Sequence, residues 1–154
     1  MVSYLSNLTE LEQRMLFEAP VLISILVAGA DHNIDEKEKD WAEKVAHFRS
    51  TKNDSILKEY YYEVDKLFDD TFNDYVKSLP EDAIQRNNKI SDELKKLNDI
   101  LPKLDSEFSK ELYDSYLSFA EQVAKASGGV LGYAAVSPEE KEWAQLSMIN
   151  KPYK

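Results

Sequence analysis

Ala30-Asp31-His32-Asn33-Ile34-Asp35-Glu36-Lys37-Glu38-Lys39-Asp40-Trp41-Ala42 joins an apolar stretch to an acidic one and gathers carboxylates at the joint. Upstream, Ala19 to Ala30 is apolar on nearly every face, as expected of a core helix surrounded by others. Downstream, Asp35 and Glu38 have capping-box spacing, so a helix is predicted from Glu36 to about Phe48, with Trp41, Val45 and Phe48 on one face. The stretch also has an echo. Glu38-Lys39-Asp40-Trp41-Ala42 returns at a constant offset as Glu140-Lys141-Glu142-Trp143-Ala144, with Ile34 matched by Val136 and Asp35 by Ser137. The two ends of the chain therefore read as related helical units, at about 10–50 and 105–150, with Trp41 and Trp143 as equivalent core anchors.

Working outward, Thr9 and Glu12 form a second capping box that starts the first helix, and Pro20 either kinks that helix or opens a new one. A long helical period runs from about Ser55 to Leu79, carried by Leu57, Val64, Phe72 and Tyr75. The adjacent Tyr60, Tyr61 and Tyr62 cover most of that helix's circumference, so some are core and some exposed. A narrower stripe of Ile84, Ile90, Leu94, Leu97 and Leu101 follows, and Pro102 interrupts it. The stripe resumes through Leu104, Phe108 and Leu112 to about Ser127, where Gly128-Gly129 ends it. Ser137-Pro138-Glu139-Glu140 starts a final helix, expected to reach about Ile149. No stretch reads as a convincing strand. The fold class is all-α: one domain over 1–154, a compact bundle of six to eight helices, with residues 52–104 as a long helical hairpin inserted between the two units.

Composition narrows the function. The 154 residues carry 29 acidic and 19 basic side chains for a net charge of −10, which repels nucleic acid and anionic membranes and favours cations and proteins with basic or apolar surfaces. Cysteine is absent, excluding disulfides and thiol chemistry and fitting a cytoplasmic protein. The N-terminus lacks the pattern of an export signal, and the longest apolar run falls short of the ~20 residues a membrane span needs. His32 and His47 are the only histidines, too few to suggest a triad or a histidine zinc site. The glycines around Ser127 lack the lysine of a phosphate loop.

The sharper chemistry lies in the opening stretch. Asp31, Asn33 and Asp35 alternate as the first three oxygen ligands of a calcium loop do. The sixth position should then be glycine but is Glu36, and the twelfth should be an acid but is Ala42, which excludes a standard EF-hand. A different site for calcium or magnesium would use Asp31, Asn33, Asp35, Glu38 and, from the second unit, Glu140. The alternative is that Asp35 and Glu38 only cap a helix.

These motifs resemble the TerB-like domains associated with tellurite resistance and bacterial stress responses. Ala30, Asp31, Ile34, Asp35 and Glu38 match the family's first motif, with His32 where glycine is expected, and Val136-Ser137-Pro138-Glu139-Glu140 repeats its helix start. The resemblance implies a helical cytoplasmic domain without catalytic activity, divalent cations at the acidic turns, and action through protein complexes at the inner face of a membrane. Two other readings stand beside it. One is a metal-assisted hydrolase in which Asp31, Asp35, Glu38 and Glu140 converge; the other is a structural adaptor that binds through the 52–104 hairpin.

Overall fold

The computed structural model describes residues 3–29, 36–52, 55–127 and 138–153. Among these the chain is helical and contains no strand. The elements are α1 (Glu10–Ala28), α2 (Glu36–Ser50), α3 (Lys58–Ser78), α4 (Ala83–Leu94), the short α5 (Leu97–Ile100), α6 (Ser106–Ser127) and α7 (Pro138–Ala144), with single 3-10 turns at Ser3–Leu5 and Leu101–Lys103. No helix among the described residues is long and apolar enough to cross a membrane.

Helix α1 is the axis of the bundle. Its N-terminus forms the expected capping box, the Thr9 amide donating to Glu12 Oε1 at 3.0 Å and the Glu12 amide to Thr9 Oγ1 at 3.1 Å. Val21 through Ala28 are all buried, because α1 packs against α2, α3, α4, α6 and α7 in turn. Continuous apolarity here means contact on every side rather than a stripe.

Pro20 does not end the helix. A proline removes the donor that would bond the carbonyl four residues earlier, here Leu16. That carbonyl instead accepts from Tyr60 Oη of α3 at 2.5 Å, with Tyr116 Oη of α6 3.3 Å away, and the two hydroxyls lie 2.8 Å apart. Burial pushes both phenols well above their ordinary pKa, so they remain neutral donors. Two neighbouring helices thus repair the gap left by proline, and α1 runs on unbroken.

The far end of α1 is held differently. Arg86 of α4 is buried and donates from Nη2 to the Gly29 carbonyl at 2.7 Å and from Nη1 to the Glu81 carbonyl at 3.2 Å. A cation on the last carbonyls complements the negative end of the helix dipole. Burial lowers the Arg86 pKa, and the nearby Asp82 opposes that shift. Asp82 itself caps α4, its Oδ2 accepting from the Gln85 amide at 2.9 Å.

Three expectations are corrected. Helices α3 and α4 do not make a self-packed hairpin: α3 lies on α1 and α2, α4 lies on α1, and their apolar residues, among them Phe68, Phe72, Ile90 and Leu94, join one core with α1 and α6. The final helix ends at Ala144 rather than near Ile149. Leu146 adopts φ 50 and is fully buried, so the chain leaves the helical path and tucks Leu146, Met148 and Ile149 into the core. Asn98 secures this segment, donating to the Met148 carbonyl at 3.0 Å and accepting from the Asn150 amide at 2.7 Å. Lastly, Trp41 is no core anchor. It is 43% exposed, whereas Trp143 packs partly buried against the core. The tyrosine triplet divides as expected, with Tyr60 and Tyr61 buried and Tyr62 exposed.

Candidate functional site

Asp31, Asn33, Asp35 and the neighbouring His32 lie outside the described residues, as does the turn before α7. Glu38 sits in the first turns of α2 and is buried, 6% exposed. Glu140 falls within α7, and its side chain lies outside the described part. Among the described residues no group of three or more histidine, aspartate or glutamate side chains is placed to hold a metal ion. His47 is on the exposed edge between α2 and α3, with Nδ1 2.9 Å from Asp65 Oδ2.

An open groove of about 820 Å³ lies elsewhere, between α2 and α6, closed at one end by the start of α3. Helix α2 contributes Trp41, Lys44, Val45, Phe48 and Arg49, followed by Lys52, spaced three and four apart on one face. Helix α6 contributes Glu111, Asp114, Ser115, Ser118 and Gln122 in the same way. The two helices run antiparallel: Trp41, early in α2, donates from Nε1 to the Gln122 carbonyl at 3.1 Å, while Arg49, late in α2, reaches Ser115 and Ser118.

Arg49 builds the floor. Its Nη1 donates to Tyr61 Oη at 2.9 Å and to the Ser115 carbonyl at 2.9 Å, and its Nη2 donates to Ser118 Oγ at 2.8 Å. The guanidinium also lies over the Tyr61 and Phe119 rings, 5.1 and 5.5 Å from their centroids. Such a planar cation joins three helices at once, through hydrogen bonds on its edge and rings on its faces. Tyr61 is buried, and burial pushes its pKa up against the opposing pull of Arg49 and of its bond with Ser115. A phenol so placed is a structural donor and acceptor rather than a base.

Above this floor the walls differ. On the α2 side Phe48 is 65% exposed and stands about two turns from Trp41, with Lys44 and Lys52 beside them, both exposed. On the α6 side Glu111 and Asp114 are exposed, and Asp114 Oδ1 accepts from Tyr153 Oη at 2.5 Å. That bond, with a smaller contribution from burial, holds the Tyr153 phenol up at about 12.

No protein-family model, no curated protein and no solved structure matches the chain. The reading therefore rests on the groove itself. Two large aromatic rings in water beside a hydrogen-bonded floor can contact a surface, whereas the groove offers no histidine for proton transfer. Its signal was present in the sequence as an alternation of aromatic and cationic residues on the Trp41, Lys44, Phe48, Lys52 face. Local periodicity places those residues together but does not say whether the face is turned inward.

A second, smaller groove of about 430 Å³ lies between α1, α3 and α4. Tyr75 Oη donates there to Glu18 Oε1 at 2.6 Å, and Arg14 pairs with the same carboxylate at 3.1 Å. Burial, reinforced by Glu18, raises the Tyr75 pKa. Arg14, Glu18 and Tyr75 are thus engaged with one another.

Proposed function

We propose that the protein is a non-catalytic helical module that acts by protein–protein contact, and that the α2–α6 groove is its contact surface. The exposure of Trp41 and Phe48 on one rim carries this reading. Aromatic side chains supply large contact area at small entropic cost and are the typical anchors of protein interfaces. Arg49 supports it by fixing the floor, so that little ordering is required when a partner arrives. The resemblance to TerB-like domains adds a setting, a cytoplasmic stress-response or tellurite-resistance type of complex, with calcium or magnesium at the Asp31 turn as a separate feature.

The test places a photoreactive phenylalanine at position 48 in the full chain and irradiates the cells that express it. Covalent adducts with polypeptide are expected at Phe48. The same probe at Ile84 of α4, which is equally exposed, should give few. Equal yields at the two positions would overturn the reading.

A further inference from the structure

We infer that the occupant of the α2–α6 groove is a second copy of this chain, bound about a two-fold axis that runs along the groove. The inference rests on the proposed contact role of that groove and names its partner.

A two-fold interface brings one patch against itself, so the patch must be self-complementary. This groove meets that condition in charge. Its α2 wall presents Lys44 and, just beyond the helix, Lys52, while its α6 wall presents Glu111 and Asp114. Among the described residues no ion pair crosses from one wall to the other within a chain. Rotation by a half turn about the groove axis carries the α2 wall of one protomer over the α6 wall of its partner and preserves height along the groove. Because α2 and α6 are antiparallel, Lys52 lies at the same end as Glu111 and Asp114. The rotation therefore sets Lys52 of each protomer over the acidic pair of the other, twice by symmetry. The same operation lays the Trp41 and Phe48 rim of each protomer over the α6 wall of the other, removing both rings from water.

The net charge of −10 on each chain opposes any self-association, which is why the local sign matters. This groove carries three cations, with Arg49, against two carboxylates, so it is a break in an otherwise acidic protein. At physiological ionic strength the screening length is about 8 Å, which weakens repulsion between whole chains while leaving close pairs largely intact.

The experiment is sedimentation equilibrium of the full chain across micromolar concentrations at physiological ionic strength, using two charge-reversed proteins. One carries Lys44→Glu with Lys52→Glu, the other Glu111→Lys with Asp114→Lys; circular dichroism checks that both are folded. The wild-type chain should dimerise, and each reversed protein alone should associate at least about tenfold more weakly, since every wall-to-wall pair becomes repulsive. Mixed together, the two should form a heterodimer, because each reversed wall then meets its complement. Phe48→Asp, at an exposed position with no packing role, should also weaken the wild-type dimer. A monomeric wild-type chain, or reversed proteins that fail to pair on mixing, would overturn the inference. A monomer whose position-48 probe still captures a different polypeptide refutes self-pairing while leaving the contact role standing. A monomer that captures nothing refutes both.

Discussion

The Leu16 carbonyl allows the repair of a proline gap to be measured. Tyr60 has one hydroxyl proton, and at 2.5 Å from Leu16 O it is committed there, which leaves Tyr116 to donate to Tyr60 Oη at 2.8 Å. In Tyr60→Phe, Tyr116 is released to turn onto the carbonyl, from which it is already only 3.3 Å away. The expected cost is then about 1 kcal/mol, one net hydrogen bond. In Tyr60→Phe with Tyr116→Phe the carbonyl loses its donor and the one that could replace it, and an orphaned buried acceptor raises the cost to about 2–3 kcal/mol. Pro20→Ala restores an amide at the helical position that serves Leu16. In that background the double Phe substitution should cost about 1 kcal/mol or less. Comparing the double substitution within each background cancels the effect of Pro20→Ala on helix propensity itself. Urea denaturation reads the difference: with a slope of roughly 2 kcal/mol/M for a chain of this size, the midpoint loss should shrink from about 1 M to under 0.5 M. An equal loss in both backgrounds would show that the tyrosine hydroxyls do not stand in for the missing amide.

Three further outcomes follow from the same geometry. Gly29→Ala should lower stability by about 1–3 kcal/mol in urea melts, because a Cβ there would stand 2.6 Å from Arg86 Nη2 and 2.9 Å from the Ile25 carbonyl oxygen, although the backbone at φ −90 tolerates alanine. Asn98→Ala removes both hydrogen bonds to the segment after α7 and should cost about 1–2 kcal/mol, with amide exchange rising first around Leu146 to Asn150. Tyrosinate absorbance should show Tyr153 ionising at about 12 in the folded chain and falling toward the ordinary value of roughly 10 in Asp114→Asn. Since the folded value is raised, the stabilisation from this bond is complete below about pH 10 and is lost as the pH rises toward 12.

Local signals in the sequence carried as far as local physics reaches. The Thr9 and Glu12 capping box depends on atoms three residues apart, and it forms as read. The apolar run after Pro20 implied a helix enclosed on all sides, and α1 is that helix. What local pattern could not supply was the response of distant residues. Proline signalled a break, but its repair comes from hydroxyls 44 and 100 residues away in sequence. The end of α7 depends on a leucine whose burial outweighs the cost of a left-handed backbone, and no helix-stop residue marks it. The acidic turn that organised the sequence reading, Ala30 to Asp35, lies outside the described residues, so the cation reading of Asp31, Asn33 and Asp35 stays a proposal.

The exposure of Trp41 turns on the same distinction. Trp41 and Trp143 occupy matching places in two similar pentapeptides, and equal local sequence suggested equal burial. Their surroundings differ because of a residue that the echo does not include. Eight positions beyond Trp41 stands Arg49, and the corresponding position beyond Trp143 is Lys151, which lies past the end of α7 and over the Tyr153 ring. Arg49 occupies the space between α2 and α6 with a charged group that needs oxygen partners, and it finds them in Tyr61, Ser115 and Ser118. The guanidinium is bonded across the two helices, and the indole reaches α6 through its Nε1 bond to the Gln122 carbonyl while remaining 43% exposed. A half-buried arginine on the groove-facing side of α2, bonded to α3 and α6, is thus what the echo around Trp143 lacks, and the Trp41 and Phe48 rim lies open beside it.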